Sequence, residues 1–142
     1  GLMTDRVYEI LMRPRKIRAE IGRINAEIEG LRLSMLPGAI RYDSDKVQSS
    51  PDDPTSRYAE RMEALESKRD RLRTEYLDAQ DDIVQKISML PDEREALVLE
   101  MRFVGGSDFE TIADEASTGI RNMFRIYHQA IIDFDKLVSE CQ

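Results

Sequence analysis

Residues 90–137 read LPDEREALVLEMRFVGGSDFETIADEASTGIRNMFRIYHQAIIDFDKL, a stretch that predicts three consecutive helices with short connections. The first predicted helix begins at Pro91, because the fixed φ and missing N–H of proline are tolerated in the first helical turn. Gly105-Gly106 predicts its end, since glycine readily adopts the left-handed conformation that terminates many helices. The apolar residues expected to face the core recur at helical spacing and are Leu97, Val98, Leu99, Met101 and Val104.

Two further helices are predicted after the glycines. Ser107 or Asp108 can cap a short helix that ends near Glu115, and a longer helix begins near Thr118. Two short helices joined by a few residues form the helix-turn-helix arrangement; its turn usually holds a glycine, where this chain has Ser117. The short helix is expected to bury Phe109, Ile112, Ala113 and Ala116. The longer helix carries an apolar stripe of Ile120, Met123, Phe124, Tyr127, Ile131 and Phe134, with Ile126 and Ala130 beside it.

The outer face of the third predicted helix carries side chains suited to reading DNA. Arginine can bind guanine through two hydrogen bonds, and asparagine can bind adenine in the same way. These residue types also fit the solvated side of an amphipathic helix, and the helix pattern alone does not separate the two interpretations. The candidate DNA-binding residues are Thr118, Gly119, Arg121, Asn122, Arg125, His128 and Gln129, with Thr118 expected to cap the helix.

Residues 89–131 resemble the C-terminal helix-turn-helix of sigma factors, region four. The whole chain is similar to small regulators encoded by phages and prophages of Gram-positive bacteria, including the ArpU-like late-transcription regulators and a related streptococcal phage family of unassigned function. This resemblance implies binding of promoter DNA, with RNA polymerase as a possible partner. It rests on Leu90-Pro91, Arg102-Phe103, Gly105-Gly106, Ile112-Ala113 and the segment RIYHQAI at 125–131.

Upstream of this stretch, the apolar spacing predicts long helices. Residues 3–14 are expected to form a short helix that ends before Pro14, because the residue preceding a proline disfavours the helical conformation. From Arg15 to Met35, apolar residues recur in steps of four and three, which is a heptad-like seam.

A second heptad seam is predicted from about Thr55 to Leu90, with Arg69 as a polar interruption that can set register or extend to solvent. Residues 37–54 are rich in Pro, Ser and Asp and predict a loop between the two helices. The predicted fold is therefore all-α, with a long antiparallel helical hairpin at 3–90 and a three-helix helix-turn-helix module at 91–142. We expect the hairpin also to form a homodimer.

Charge opposes a simple DNA-binding interpretation. The chain has a net charge of −7, and residues 91–142 carry five basic and eleven acidic residues. DNA-binding domains usually present a basic surface, because neutralisation of phosphates supplies much of their affinity. The outer face of the third helix is nevertheless free of acidic residues between Glu115 and Asp133. Possible phosphate contacts, equally interpretable as a solvated helix face, are Arg13, Arg15, Lys16 and Arg18.

Other classes of function have little support in the sequence. His128 is the only histidine and Cys141 the only cysteine, so neither a histidine-based catalytic group nor an internal disulfide is expected. No motif predicts a metal or cofactor site, and no apolar run is long enough to span a membrane. We therefore expect a non-enzymatic protein of the bacterial host cytoplasm.

Two functions remain after these exclusions. The first is a phage-encoded transcription regulator that binds double-stranded DNA, alone or together with RNA polymerase. The second is a phage assembly or protein-interaction module, such as a small DNA-packaging subunit that oligomerises into a ring. In that case the helix-turn-helix would not read promoters by itself.

Overall fold

The computed structural model describes residues 3–36 and 53–140, which form α-helices and no strand. The all-α class predicted from the sequence is confirmed. Residues 37–52 of the predicted loop lie outside the described residues. The helices of the described part are α1 (Asp5–Ser34), α2 (Pro54–Ser88), α3 (Glu93–Phe103), α4 (Phe109–Glu115) and α5 (Ile120–Glu140).

Helix α1 continues through Pro14, so the prediction of a separate short helix ending before this residue is wrong. A proline inside a helix removes one backbone hydrogen bond and crowds the preceding turn. Here the ring of Pro14 is buried between the turns that carry Leu11 and Ile17. Pro14 therefore continues the apolar seam of α1, and its packing offsets the lost backbone hydrogen bond.

The chain divides into two compact units, Gly1–Arg15 with Tyr76–Gln142 and Lys16–Glu75. In the second unit, the predicted seams bury Ile24 and Ile28 on α1 and Leu65 and Leu72 on α2. Ion pairs link the two helices, Arg61 to Glu27 at 3.3 Å and Lys68 to Glu20 at 3.6 Å. The later residue on α2 pairs with the earlier residue on α1, so the two helices run antiparallel in this unit.

Arg69 lies at a seam position of α2, as the sequence predicts, and its side chain is only 18% exposed. Its guanidinium forms ion pairs with neighbours on its own helix, Glu66 at 3.8 Å and Asp70 at 3.4 Å. The stem of the arginine is therefore buried along the seam while its charge is turned towards carboxylates.

The first unit has one extended core built from four helices. Val7 and Leu11 of α1, Ile83 and Ile87 of α2 and Leu99 of α3 are buried together with α5. This unit therefore extends beyond the 91–142 module that the sequence predicts. The residues of α5 in this core are Ala130, Ile131, Phe134 and Val138.

A second cluster joins α3, α4 and α5 through Val98, Ile112, Ala113 and Met123. On α3, Val98 and Leu99 are fully buried, whereas Leu97, Met101 and Val104 of the predicted stripe are only half-buried. Ile120, the first residue of the predicted apolar stripe, is 45% exposed in the first turn of α5.

Aspartates cap both α3 and α4. Asp92 accepts hydrogen bonds from the backbone N–H groups of Arg94 and Glu95, so α3 begins two residues after Pro91. Asp108, and not Ser107, caps α4 by accepting from the Thr111 N–H. Hydrogen bonds from the backbone and the side chain of Thr111, with the nearby charge of Arg102, hold the pKa of Asp108 below its ordinary value.

The turn between α4 and α5 is closed by its own backbone. The Thr118 N–H donates to the Ala113 carbonyl and the Ser117 N–H donates to the Asp114 carbonyl. Ser117 itself has a φ of 53°, the left-handed conformation that glycine adopts most readily. The sequence places Ser117 where a helix-turn-helix usually has glycine, and its backbone has the conformation that such a turn requires.

Candidate nucleic-acid interface

Most candidate DNA-binding residues lie on one side of α5 and the turn before it. Arg121, Arg125, His128 and Gln129 are exposed, and Asn122 is half-buried among them. They recur at intervals of three and four residues, which places them on neighbouring rows of one helix face. The opposite face carries the buried Met123, Ala130 and Phe134 together with Ile131. The packing of α5 therefore leaves this face available to a partner.

Hydrogen bonds organise the centre of this face. The side-chain amide of Asn122 donates to the Thr118 hydroxyl at 2.8 Å. Its carbonyl oxygen accepts from Arg125 Nε at 3.1 Å and from Arg125 Nη2 at 2.6 Å. The Thr118 hydroxyl thus binds a side chain of α5, whereas the sequence predicts that it caps the helix. The guanidinium is held in one orientation with donors left for a ligand.

The C-terminal part of the face is anchored differently. His128 packs its ring near Phe124 and Tyr127, with ring centroids 6.5 and 6.0 Å away. Gln129 donates from its side-chain amide to Asp133 at 3.0 Å, one turn further along α5. Each of these side chains therefore has a local contact that restricts its orientation.

A cleft of about 360 Å³ opens beside this face. The N-terminal end of α3 forms one wall, and the exposed face of α5 forms the other. The cleft combines arginine guanidinium groups, side-chain amides and carboxyl groups around a small apolar surface. Its lining residues are Asp92, Arg94, Glu95, Asn122, Arg125, Ile126 and Gln129.

Glu95 is a member of this cleft that the sequence analysis missed. It is only 6% exposed, and its Oε1 atom has no hydrogen-bond partner among the described residues. Burial, together with a hydrogen bond to Asp133 and the charges of Asp133 and Asp92, raises the pKa of Glu95 to about 7. The helical spacing does indicate that Glu95 faces the core, because it precedes the buried Val98 and Leu99 by three and four residues.

The predicted phosphate contacts Arg13, Arg15, Lys16 and Arg18 are all exposed on α1. Successive helical residues are rotated by about 100° about the axis, so these side chains leave the helix in different directions. The buried Pro14 and Ile17 lie among them in the sequence. The four side chains therefore point in several directions around the exposed part of the helix.

Two other kinds of site have no candidate in the described part of the chain. No group of three or more His, Cys, Asp or Glu side chains within residues 3–36 and 53–140 could hold a metal ion. Over the same residues, no helix combines the length and apolar character needed to cross a lipid bilayer. Comparisons of the chain with protein-family models, curated proteins and solved structures found no match. The functional proposal therefore depends on the chemistry of the α5 face.

Proposed function

We propose that the protein is a phage-encoded transcription regulator that binds double-stranded DNA through the exposed face of α5. One observation carries this proposal: Arg121 and Arg125 are exposed on the face that packing leaves open, and Arg125 is held by Asn122. Ordered arginine and amide donors beside the first turns of a helix suit the major groove, whose edges present acceptors on guanine and adenine.

In this mechanism α5 enters the major groove and the turn at 116–119 meets the sugar-phosphate backbone. Arg125 donates two hydrogen bonds to a guanine, because its guanidinium is already oriented by Asn122. Arg121, one turn earlier, contacts a second base or a phosphate. Gln129 can bind adenine at the other end of the face.

The acidic charge of residues 91–142 limits what this module achieves alone. Long-range repulsion between DNA phosphates and a net negative domain lowers both the association rate and the affinity. A homodimer with two reading helices, or a complex with RNA polymerase, supplies further contacts. Exposed Leu77 and Val84, one heptad apart on α2, offer an apolar strip for such a dimer.

The test is a selection of duplexes from a random-sequence pool and from fragmented phage DNA. The full chain retains DNA during washes at low and at moderate salt, and the retained duplexes are sequenced. The proposal predicts one enriched site that survives moderate salt, because contacts to base edges depend less on salt than contacts to phosphates. Uniform recovery by folded protein would reject direct reading of DNA.

The acidic module also favours a second candidate, a phage assembly or protein-interaction module. A face with few phosphate contacts can bind a protein through the same arginines, paired with carboxylates of the partner. The mass in solution distinguishes the two: a dimer supports the regulator, and a ring of many subunits supports assembly. Under either candidate we expect no catalytic activity and no cofactor.

A further inference from the structure

The side chain of Asn122 is hydrogen-bonded at both ends of its amide. Its NH2 group donates to the Thr118 hydroxyl at 2.8 Å, and its carbonyl oxygen accepts from Arg125 Nε at 3.1 Å and Nη2 at 2.6 Å. Recognition of adenine by asparagine needs the amide oxygen and an amide N–H side by side and unoccupied. Because the oxygen already accepts two hydrogen bonds, Asn122 is poorly suited to read a base itself.

We propose that Thr118, Asn122 and Arg125 form a hydrogen-bonded relay, in which Asn122 positions Arg125 for guanine and Thr118 joins the relay to a phosphate. The inference rests on the proposed function and separates the residue that reads a base from the residue that orients it. Asn122 is a positioning residue, because it acts on DNA through its two neighbours.

The contact with Asn122 decides which edge of the Arg125 guanidinium meets DNA. The single hydrogen of Nε and one hydrogen of Nη2 are directed to the Asn122 oxygen. The other Nη2 hydrogen and both hydrogens of Nη1 remain, and together they form an edge with two parallel N–H donors. Guanine presents two acceptors, O6 and N7, to such an edge, whereas adenine places its N6 amino donor beside N7. The oriented arginine therefore favours guanine over adenine.

Thr118 connects the other end of the relay to the turn before α5. Its backbone N–H donates to the Ala113 carbonyl at 3.0 Å, which fixes the residue within the turn. Its hydroxyl oxygen accepts from Asn122, and the hydroxyl hydrogen has no acceptor among residues 3–36 and 53–140. A hydroxyl with a hydrogen left to donate, in the turn proposed to meet the sugar-phosphate backbone, suits a phosphate oxygen.

The hydrogen bonds of the relay all point in the same direction. Arg125 donates to Asn122, Asn122 donates to Thr118, and Thr118 is left to donate to a phosphate. Hydrogen bonds arranged head to tail polarise one another, so each one strengthens the next. The residues are four and three positions apart, within α5 and the turn before it, which keeps the relay short. Loss of one link should therefore weaken the guanine contact at the far end.

The experiment measures the affinity of the full chain for its enriched duplex and for copies in which one guanine at a time is replaced by 7-deazaguanine, which lacks the N7 acceptor. The guanine whose replacement weakens binding by the wild type, but not by Arg125→Ala, is the one that Arg125 contacts. At this guanine we expect a penalty of roughly three- to tenfold for the wild type, the effect of losing one hydrogen bond. Asn122→Ala should lose most of this penalty, and should bind the enriched duplex roughly two- to tenfold more weakly because a mobile arginine must be ordered on binding.

Matched variants separate the relay from ordinary effects of substitution. Asn25→Ala makes the same change at an exposed position of α1 and should keep the wild-type penalty. Thr118→Ser keeps the hydroxyl and should keep the penalty, whereas Thr118→Val has a similar shape without the hydroxyl and should lose part of it. An unchanged penalty in Asn122→Ala would overturn the positioning role. Equal losses of affinity for both duplexes in Thr118→Val would overturn the link between phosphate and guanine.

A second arm does not involve DNA. Proton–nitrogen NMR of the free protein should show the Arg125 Nε–H exchanging with water more slowly in the wild type than in Asn122→Ala. The Nε–H of Arg121, which has no hydrogen-bond partner in the described part of the chain, should exchange equally in both proteins. Equal exchange of the Arg125 Nε–H in the two proteins would overturn the relay. Absence of any enriched duplex, with Arg125 protected by Asn122, would instead reject the proposed function.

Discussion

At the residue scale, Glu95 has the least ordinary surroundings among the described residues. A carboxyl group that is 6% exposed loses most of its hydration, and the adjacent Asp133 adds repulsion when both groups are ionised. Protonation removes both costs, so the folded chain binds this proton more tightly than the unfolded chain. The stability of the fold must then depend on pH.

The sign follows from the raised pKa. The pKa of Glu95 is about 7 in the folded chain against an ordinary 4.5, so stability is greatest below about pH 4.5 and is lost as the pH rises through 7. Glu95→Gln removes this dependence. We expect it to raise the free energy of unfolding at about pH 8 by up to about 3 kcal/mol, with a much smaller effect near pH 5. Urea denaturation at both values measures the difference.

Glu93→Gln provides the control, because Glu93 is exposed in the first turn of the same helix. It removes the same charge without touching the buried pair, so its unfolding free energy should vary with pH as that of the wild type does. A Glu95→Gln variant that is destabilised equally at both pH values would show that Glu95 is ionised in the folded protein.

At the element scale, the turn between α4 and α5 fixes where the proposed DNA-binding face begins. Ser117 accepts a φ of 53° so that the neighbouring N–H groups can reach the carbonyls of Ala113 and Asp114. A non-glycine residue in this conformation costs about 1 kcal/mol. The chain therefore keeps a strained residue at the start of its proposed functional helix.

Ser117→Gly should relieve this strain, but glycine also gives the unfolded chain more conformational freedom, so we expect a net stabilisation of at most about 0.5 kcal/mol. The control is Ser67→Gly in the exposed middle of α2, which should destabilise by about 0.5 kcal/mol because glycine is a poor helix former. Thermal unfolding compares the two. Destabilisation by both substitutions would contradict the assigned role of the turn.

The helices were predictable where one simple signal dominated. Heptad spacing predicted the buried positions of α1 and α2, the glycine pair predicted the end of α3, and Asp108 was one of two predicted caps of α4. The Asp92 cap of α3 was not predicted, because the sequence favoured a start at Pro91. The helix end predicted at Pro14 was wrong, because the local backbone preference of proline indicated an end whereas burial of the ring lets the helix continue. Glu95 was missed for a related reason: an acidic residue in a first turn is normally exposed, and only the packing of α5 buries it.

The candidate site was predictable in its residues but not in its connections. Helical spacing placed Arg121, Asn122 and Arg125 on the outer face, and the structure has them there. The bonds from Asn122 to Thr118 and Arg125, and from Gln129 to Asp133, depend on rotamers that spacing does not specify. The sequence therefore predicted which residues form the face, but not the hydrogen bonds that connect them.

At the scale of the whole molecule, the net negative charge and the exposed Leu77 and Val84 of α2 both bear on the proposed dimer. Under the proposed function, a chain with a net charge of −7 would gain affinity for DNA if a dimer joined two α5 helices, because their binding energies would combine. Leu77 is 58% exposed and Val84 is 38% exposed, at positions one heptad apart. Their burial between two copies would leave one α5 face on each subunit.

The solution mass tests this association. Light scattering should give twice the mass of one chain for the wild type and the mass of one chain for Leu77→Glu with Val84→Glu, because charges in a dimer seam are strongly unfavourable. Leu33→Glu with Leu36→Glu, a matched change at exposed residues elsewhere, should remain dimeric. A monomeric wild type would contradict the proposed dimer, and a ring would favour the assembly function.

The most direct test of the central claim is a titration of the enriched duplex, followed by fluorescence anisotropy, with two double variants of equal charge. Arg121→Ala with Arg125→Ala should abolish sequence-specific binding while circular dichroism shows the helices intact. Arg71→Ala with Arg73→Ala, at exposed positions of α2, should retain it with a modest loss from charge alone. Equal losses in the two variants, or specific binding by a folded Arg121–Arg125 variant, would contradict the assignment of α5 as the DNA-reading helix.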